Sequence, residues 1–319
     1  MAKPASLHAN NRFAKGYDLH QLALAYPPLK AFIIQTINKT ASINFALPQA
    51  VLALNTALLK SAYQINDWQL PANALCPGVP GRLDYLHYLA DLLAEYNDIK
   101  LTENKKIKAL DIGTGASAIY PILGVVEYAW QFVASDISAP SLANVNKIIA
   151  NNTGLQGQID CRLQADKDRI FHGIIQANEY FTFTLSNPPF HRSQQEASQG
   201  SIKKQQNLMK AAKGKEQQKS VKTLNFGGQN AELWCEGGEV KFIRNMIRDS
   251  KAFRSQVLWF TSLVSKKDSL SALKLSLKKA KVSQIKILKM VQGQKVTRVI
   301  CWSFLSPSAQ QLWVKQHLS

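Results

Sequence analysis

Two short motifs carry residues whose types and spacing suit chemistry on a cofactor and on a planar amine. The first, at 111–117, reads Asp-Ile-Gly-Thr-Gly-Ala-Ser, and the second, at 186–190, reads Ser-Asn-Pro-Pro-Phe. Each follows a short apolar run that predicts a β-strand. Because ligands of open α/β sheets bind outside the carboxyl ends of the strands, we expect both motifs at one edge of a sheet.

The glycine motif predicts a site for a cofactor that contains adenosine. Gly113 and Gly115 let the backbone turn sharply and approach a ligand closely. Asp136 ends the next predicted strand about twenty residues later, where its carboxylate can accept hydrogen bonds from both hydroxyls of a ribose. This spacing leaves a nicotinamide dinucleotide as an alternative, because the alanine at 118 is tolerated at the third position of the dinucleotide fingerprint.

The acidic residue that opens the motif, Asp111, favours S-adenosylmethionine over the dinucleotide. A dinucleotide places its pyrophosphate at the helix N-terminus, where a carboxylate would repel it. S-adenosylmethionine has no phosphate, and Asp111 can hold the cationic end of its methionine moiety directly or through water. We therefore interpret the motif as the site of a methyl donor.

The second motif is suited to methylation of an amine attached to a ring, whose lone pair is delocalised and poorly nucleophilic. The Asn187 side-chain oxygen and the Pro188 carbonyl can accept the amine hydrogens and favour a pyramidal nitrogen. Pro188 and Pro189 hold these acceptors rigidly, and Phe190 offers a stacking face worth roughly 1–3 kcal/mol. Taken alone, the motif is also compatible with a rigid turn that has no chemical role.

Alternating strands and helices are expected to position both motifs. Strands are predicted at 107–111, 131–137, 159–163, 180–185, 257–264, 284–291 and 297–305. Helices are predicted from 119, at 141–151 and at 269–280. The alternation predicts an α/β, doubly wound sheet with helices on both faces. An antiparallel hairpin at its end makes the pattern resemble the Rossmann-like class I methyltransferase fold, with a seven-stranded, mostly parallel sheet. Gln292-Gly293-Gln294 marks the turn of its closing antiparallel hairpin.

Two further segments flank this core. Residues 1–100 are predicted to form a helical N-terminal region that recognises RNA, with a basic flexible arm over the first dozen residues. Residues 101–319 then form the methyltransferase domain. Within it, the Lys-rich stretch 194–222 predicts a mobile loop, which either clamps substrate or serves as a linker.

Composition indicates a nucleic-acid partner. The chain of 319 residues has 39 Lys and Arg against 21 Asp and Glu, a formal net charge of +18, which favours a polyanion because each neutralised phosphate releases a counterion. No apolar run approaches the roughly 20 residues of a membrane helix, and no signal core follows the N-terminus, so a cytoplasmic protein is expected. The cysteines and histidines lack ligand spacing, so no metal is expected.

The motifs resemble those of the bacterial RlmF family, which methylates N6 of one adenine in 23S ribosomal RNA. They are also similar to the eukaryotic methyltransferase-10-like RNA adenine methylases. The similarity runs from about residue 8 to 305. It includes the stretches 76–85, 111–121, 187–190, 225–228, 232–239, 259–265 and 292–295.

This resemblance implies S-adenosylmethionine as methyl donor and 23S rRNA or a large-subunit assembly intermediate as partner, with no obligate protein partner. It implies that Arg82 pairs with the donor's carboxylate. The predicted donor contacts are Arg82, Asp111, Gly113, Gly115, Ser117, Asp136, Gln164 and Asn187, with Asp166 as the alternative to Gln164. The predicted catalytic residues are Asn187, Pro188, Pro189 and Phe190, and the predicted substrate contacts are Phe190, Phe226, Lys203 and Lys204.

Several interpretations stay open at this point. Glu236 and Glu239 either shape the base pocket or act as charges at a helix N-terminus. A DNA adenine or protein glutamine methyltransferase would use the same Asn-Pro-Pro-Phe chemistry on another amine. A non-catalytic RNA-binding assembly factor would keep the fold as a platform, and an NAD oxidoreductase would leave the second motif without a purpose.

Overall fold

The computed structural model describes residues 7–72, 74–96, 106–193, 195–196, 234–292 and 295–318. In these ranges the helices are α1 (Leu19–Ala25), α2 (Pro48–Tyr63), α3 (Val79–Ala94), α4 (Ile119–Tyr128), α5 (Ala139–Ala150), α6 (Gly238–Ser250), α7 (Ser269–Lys279) and α8 (Pro307–Leu318). The strands are β1 (Ile33–Gln35), β2 (Ala41–Ile43), β3 (Lys108–Ile112), β4 (Gln131–Asp136), β5 (Ile159–Leu163), β6 (Phe181–Ser186), β7 (Val257–Val264), β8 (Gln284–Gln292) and β9 (Lys295–Ser303).

A seven-stranded sheet of order β5-β4-β3-β6-β7-β9-β8 forms the centre of the molecule. The first five strands are parallel, and β9 runs antiparallel to both of its neighbours. This arrangement confirms the predicted Rossmann-like fold with its closing hairpin. Strands β6 and β7 are buried along their whole length, as expected of central strands covered by helices on both faces. The strand order reverses between β3 and β6, which opens a crevice at their carboxyl ends.

The N-terminal helices share one hydrophobic core with the sheet. Leu58 on α2 and Leu86 on α3 are fully buried in the same cluster as Trp130 and Phe183. The region is not wholly helical, because β1 and β2 form a small antiparallel pair that the sequence analysis missed. The expected domain boundary near residue 100 lies outside the described residues.

The predicted flexible arm is wrong for residues 7–12, which pack against α3 and α4. The buried Asn11 donates from Nδ2 to Asp84 Oδ1 at 2.6 Å and to the Pro80 carbonyl at 2.9 Å. Arg12 forms an ion pair with Glu127 at 2.6 Å. The polar composition of this segment predicted mobility. These hydrogen-bond and ion-pair partners lie about 70 or more positions away in sequence, so composition gave no indication of them.

Within the described ranges, no helix combines the length and apolar character needed to cross a bilayer. The same residues bring together no group of three or more His, Cys, Asp or Glu side chains that could hold a metal ion.

Candidate active site

The two sequence motifs meet at the carboxyl ends of β3 and β6. Ile112 and Ser186 are partners in the strand register, and Ser186 Oγ donates to the Ile112 carbonyl at 3.1 Å. Asp111 and Asn187 therefore emerge next to each other where the strand order reverses. This is the position at which open α/β sheets bind ligands.

Asn187 presents an acceptor that the protein leaves unused. Its side-chain oxygen is buried and has no hydrogen-bond partner among the described residues. Leaving a buried acceptor unpaired costs about 1–3 kcal/mol, so the position is better suited to a ligand that donates hydrogen bonds than to a structural role. Pro188 is buried behind it, and Phe190 remains partly exposed.

Asp111 is a second buried group that lacks a partner. Its residue is 1% exposed, and its Oδ2 accepts no hydrogen bond within the described part of the chain. Burial, with a smaller contribution from the charge of Asp136, raises the pKa of Asp111 to about 7, although the Thr114 hydroxyl and the Arg82 charge lower it. A cationic ligand would stabilise the carboxylate here, and a phosphate would be repelled by both acids.

Three backbone donors of the glycine loop already have partners within the protein. The N–H groups of Gly113 and Thr114 donate to the Ser135 carbonyl at 2.9 and 3.0 Å, and the N–H of Gly115 donates to Asp136 Oδ2 at 2.8 Å. A dinucleotide site would aim such groups at a pyrophosphate, so the NAD alternative is disfavoured. Gly113, at a φ of +72° with open space where a Cβ would stand, allows a ligand to approach the backbone closely.

Together these features fit S-adenosylmethionine. Within the described ranges, the crevice offers unpaired buried oxygens on Asp111 (Oδ2) and Asn187 (Oδ1). A methyl donor with an ammonium group and a sulfonium, and without phosphate, matches this acceptor-rich lining.

A cavity of about 490 Å³ opens at the ends of β4 and β5, beside Ile137, Gln164 and Asp166. The Gln164 amide is held by the protein, since Nε2 donates to the His172 carbonyl at 2.9 Å and Oε1 accepts from the Asp166 N–H at 3.0 Å. Ile137, which the sequence analysis did not single out, is 52% exposed next to Asp136 and provides an apolar face.

Helix α3 places Arg82 near Tyr120, which lies in the first turn of α4 after the glycine loop. Its guanidinium carbon lies 5.7 Å from the centroid of the Tyr120 ring. Burial raises the pKa of Tyr120 to about 12, and the nearby Arg82 charge lowers it. Because the same charge acts on Asp111, Arg82 lies within electrostatic reach of the glycine loop.

The same helix carries Tyr85, which sequence reasoning missed. Tyr85 is fully buried, and its hydroxyl is 2.7 Å from Thr261 Oγ1, which in turn donates to the Thr184 carbonyl at 2.7 Å. The Tyr85 hydroxyl also contacts the backbone of Ser186. Tyr85 therefore supports the end of β6 directly before Asn187. The only signal in the sequence is its spacing of three from Arg82, which places both on one helix face.

We expect Tyr85→Phe to lower kcat about five- to tenfold and to leave donor affinity unchanged, because loss of about 1 kcal/mol of hydrogen bonding loosens the strand that positions Asn187. Single-turnover kinetics and donor-binding calorimetry measure the two quantities. Thr182→Val is the matched control, since that buried hydroxyl on the same strand has no partner among the described residues. Equal losses in both variants would contradict a positioning role for Tyr85.

Residues before α3 also hold the glycine loop. Trp68, which is buried, donates from Nε1 to the Ser117 carbonyl at 3.0 Å. Asn144 Nδ2 connects the Ala116 carbonyl at 2.8 Å to the Gln69 carbonyl at 2.9 Å. Neither Trp68 nor Asn144 was predicted, because their contacts join segments that are far apart in sequence.

Several of the predicted substrate contacts lie outside the described residues. They are Phe226, Lys203 and Lys204, together with nearly all of the Lys-rich stretch 194–222. Glu239 is placed, and it is buried in the first turn of α6. It accepts hydrogen bonds from the hydroxyls of Ser265 at 2.6 Å and Ser269 at 2.7 Å, so it joins α6 to the start of α7 and is not free to contact a base.

Comparison with known families gives one match that spans most of the chain. A family model described as "RNA methyltransferase" matches residues 1–306. Ribosomal RNA large subunit methyltransferase F of Shewanella sp. (strain W3-18-1) is 52% identical over 314 residues, which cover 98% of this chain and 87% of that protein. The protein of the same name from Colwellia psychrerythraea (strain 34H / ATCC BAA-681) is 52% identical over 299 residues, covering 93% of this chain and 99% of that protein.

Solved structures of a human protein share the fold. The catalytic domain of hMettl16 in complex with MAT2A 3'UTR hairpin 1 superposes with a TM-score of 0.77 and 29% sequence identity, covering 95% of this chain and 96% of that one. The N-terminal domain of human METTL16 in complex with SAH gives a TM-score of 0.73 and 27% identity, covering 94% and 100% of the two chains.

Proposed function

Because the chain belongs to the RNA methyltransferase family that matches its residues 1–306, we propose that it methylates the exocyclic N6 amine of one adenine in large-subunit ribosomal RNA. The methyl donor is S-adenosylmethionine. The names of the relatives that are about half identical to it support the choice of RNA. The observation that carries the amine chemistry is the unpaired, buried side-chain oxygen of Asn187 beside the glycine loop.

The donor site is assigned by charge. S-adenosylmethionine supplies an electrophilic methyl group on a sulfonium. Arg82 pairs with its carboxylate, Asp111 with its ammonium group, and Asp136 with its ribose hydroxyls. The remaining assigned contacts are Gly113, Gly115, Ser117, Gln164 and Asn187.

The amine site is assigned by hydrogen bonding. The Asn187 side-chain oxygen and the Pro188 carbonyl accept the two amine hydrogens, which draws the nitrogen toward a pyramidal geometry. These acceptors are fixed before the substrate arrives, so they cost no reorganisation when the nitrogen reacts. Phe190 provides the face on which the adenine stacks. No strong base is needed beside the amine, since its proton becomes acidic as the nitrogen gains positive charge.

The RNA must present its adenine outside a stacked helix, because the amine cannot otherwise reach the crevice. A loop or an accessible single strand is the expected substrate, either in free 23S rRNA or in an assembly intermediate. Further substrate contacts in this proposal are Phe226, Lys203 and Lys204. The N-terminal region recognises the RNA around the target adenine. A ribosomal RNA substrate also places the enzyme in the cytoplasm.

Substrate competition tests the proposal against enzymes that use the same chemistry. The protein is incubated with donor carrying a labelled methyl group and an equimolar mixture of unmodified large-subunit rRNA, adenine-containing duplex DNA and a release factor with an accessible glutamine. Label is expected in the rRNA. Label mainly in DNA or in protein would overturn the substrate assignment, and donor binding without any transfer would support the non-catalytic alternative.

A further inference from the structure

A second cavity, of about 600 Å³, opens beside the Asn-Pro-Pro-Phe motif and has cationic walls. Four of its lining residues are the cations Arg192, Lys241, Arg244 and Lys266, and one, Asp268, is an acid. These side chains come from the segment after β6, from α6 and from the segment before α7. Nothing in the donor or amine chemistry requires this concentration of positive charge.

The cavity is physically continuous with the catalytic motif. Arg192 follows Phe190 by two positions. The intervening His191 forms a β-bridge with Trp234, and the Cys235 N–H donates to the His191 carbonyl at 3.1 Å. The chain that leaves the catalytic motif is thus tied to the segment that leads into α6. The cavity and the amine site therefore keep a fixed separation.

Two adjacent glycines make room for the cationic side chains. A Cβ on Gly238, whose φ is +63°, would stand 2.9 Å from Arg192 Cγ. A Cβ on Gly237, at a φ of +77°, would stand 2.7 Å from Lys241 Cβ. The aliphatic stems of Arg192 and Lys241 thus lie against bare backbone. The turn at Gly237 and Gly238 therefore leaves room for two of the four cations.

The carboxylates around the cavity do not neutralise it firmly. Lys241 pairs with Glu236 at 2.7 Å, and Lys266 pairs with Glu196 at 3.4 Å, between side chains that are 38–88% exposed. Exposed pairs of this kind are worth about 0–1 kcal/mol, so a phosphate can displace them. The buried Glu239 beneath them is occupied by Ser265, Ser269 and the backbone of Lys266.

We propose that this cavity binds a backbone phosphate of the nucleotide next to the methylated adenine. The inference rests on the proposed function, since it names a subsite for the same RNA. Arg and Lys side chains are the usual ligands of RNA phosphates. A phosphate held beside Phe190 would fix the strand while its neighbouring base is extruded into the amine site.

Salt-dependent binding of an RNA hairpin that contains the target adenine tests this subsite. The slope of log K against log salt is negative, and each lost phosphate contact to single-stranded RNA should make it smaller in magnitude by about 0.7. Arg244→Gln is expected to weaken RNA binding about five- to tenfold at 0.15 M salt, to reduce the slope and to leave donor affinity unchanged. Lys278→Gln, which removes the same charge at the exposed far end of α7, should change neither quantity appreciably.

A neutral methylphosphonate linkage beside the adenine distinguishes an RNA phosphate from a free anion. On that RNA, wild-type protein should lose at least the factor that Arg244→Gln loses, and the linkage should cost the variant a smaller factor than it costs the wild type, because only three of the four cations remain to bind the phosphate. Additive losses, equal losses in Lys278→Gln, or competition by inorganic phosphate without any linkage effect would overturn the inference. The binding readout is independent of methylation, so a failure of the proposed function is seen separately as absence of methyl transfer by the wild-type protein.

Discussion

Replacing Asn187 with alanine is expected to lower kcat by at least about a hundredfold, because loss of one preorganised hydrogen-bonding group at a reacting centre commonly costs a factor of 10²–10³. The KM for RNA should change much less, since Phe190 and the phosphate contacts remain. Single-turnover measurements with saturating donor isolate this step from substrate binding.

Stability should respond differently from activity. The Asn187 oxygen is buried without a partner among the described residues, so its removal relieves an unfavourable group and should leave the melting temperature unchanged or raised. Asn146→Ala, at an exposed position on α5, is the matched control and should retain full turnover. Normal turnover by Asn187→Ala would remove the central residue from the mechanism, and loss of folding would show that its role is structural.

The second large effect is expected at Asp111. Burial, together with the charge of Asp136, raises the pKa of this carboxyl group to about 7. The carboxylate form predominates above that pH, so donor affinity of the wild-type protein should increase as pH rises from 6 to 8. Asp111→Asn should weaken donor binding about 10–100-fold at pH 8, because hydrogen bonds to charged groups contribute about 1.5–3 kcal/mol. It should also remove most of the pH dependence, as measured by calorimetry.

The stability of the donor-free protein should depend on pH in the opposite direction, falling as pH rises. An acid whose pKa is raised by folding binds its proton more tightly in the native state, so its contribution to stability is lost as pH rises from about 4 through 7. Raising this pKa from 3.8 to about 7 corresponds to at most about 4 kcal/mol. Asp111→Asn should therefore melt higher than wild type at pH 8 and close to it at pH 4. A variant that is less stable at pH 8 and binds donor normally would contradict this account.

Unpaired buried polar groups concentrate where the two motifs meet. Asp111 Oδ2 and Asn187 Oδ1 have no hydrogen-bond partner within the described residues. Folded proteins pair most buried polar atoms, so this cluster represents a local stability cost. Bound donor and adenine would supply the missing partners, and for this reason ligands that fill the crevice should stabilise the protein.

The parts of the fold predictable from sequence were those with local patterns. The strands appeared as apolar runs, and the reported ends of β3 and β6 lie within one residue of their predicted positions. Because parallel strands end at one edge, the meeting of Asp111 with Asn187 also followed from local information. The β1–β2 pair was missed because three-residue strands have too little periodicity to be detected.

Contacts between distant segments were not predictable. Tyr85 reaches Thr261 across 176 positions, and Trp68 reaches Ser117 across 49. The prediction of a mobile arm that includes Asn11 is wrong because sequence spacing does not indicate its partner Asp84. The second cavity likewise combines Arg192 with residues of α6 and α7, which only the folded chain brings together.

The most direct test of the central claim is the identity of the methylated nucleoside. Unmodified large-subunit rRNA is incubated with protein and donor carrying an isotopically labelled methyl group, then digested to nucleosides and separated by mass spectrometry. We predict label in N6-methyladenosine at a single position, with none formed by Asn187→Ala. Label in another nucleoside, or no labelled adenosine on both naked rRNA and immature large-subunit particles when donor binding is normal, would contradict the account.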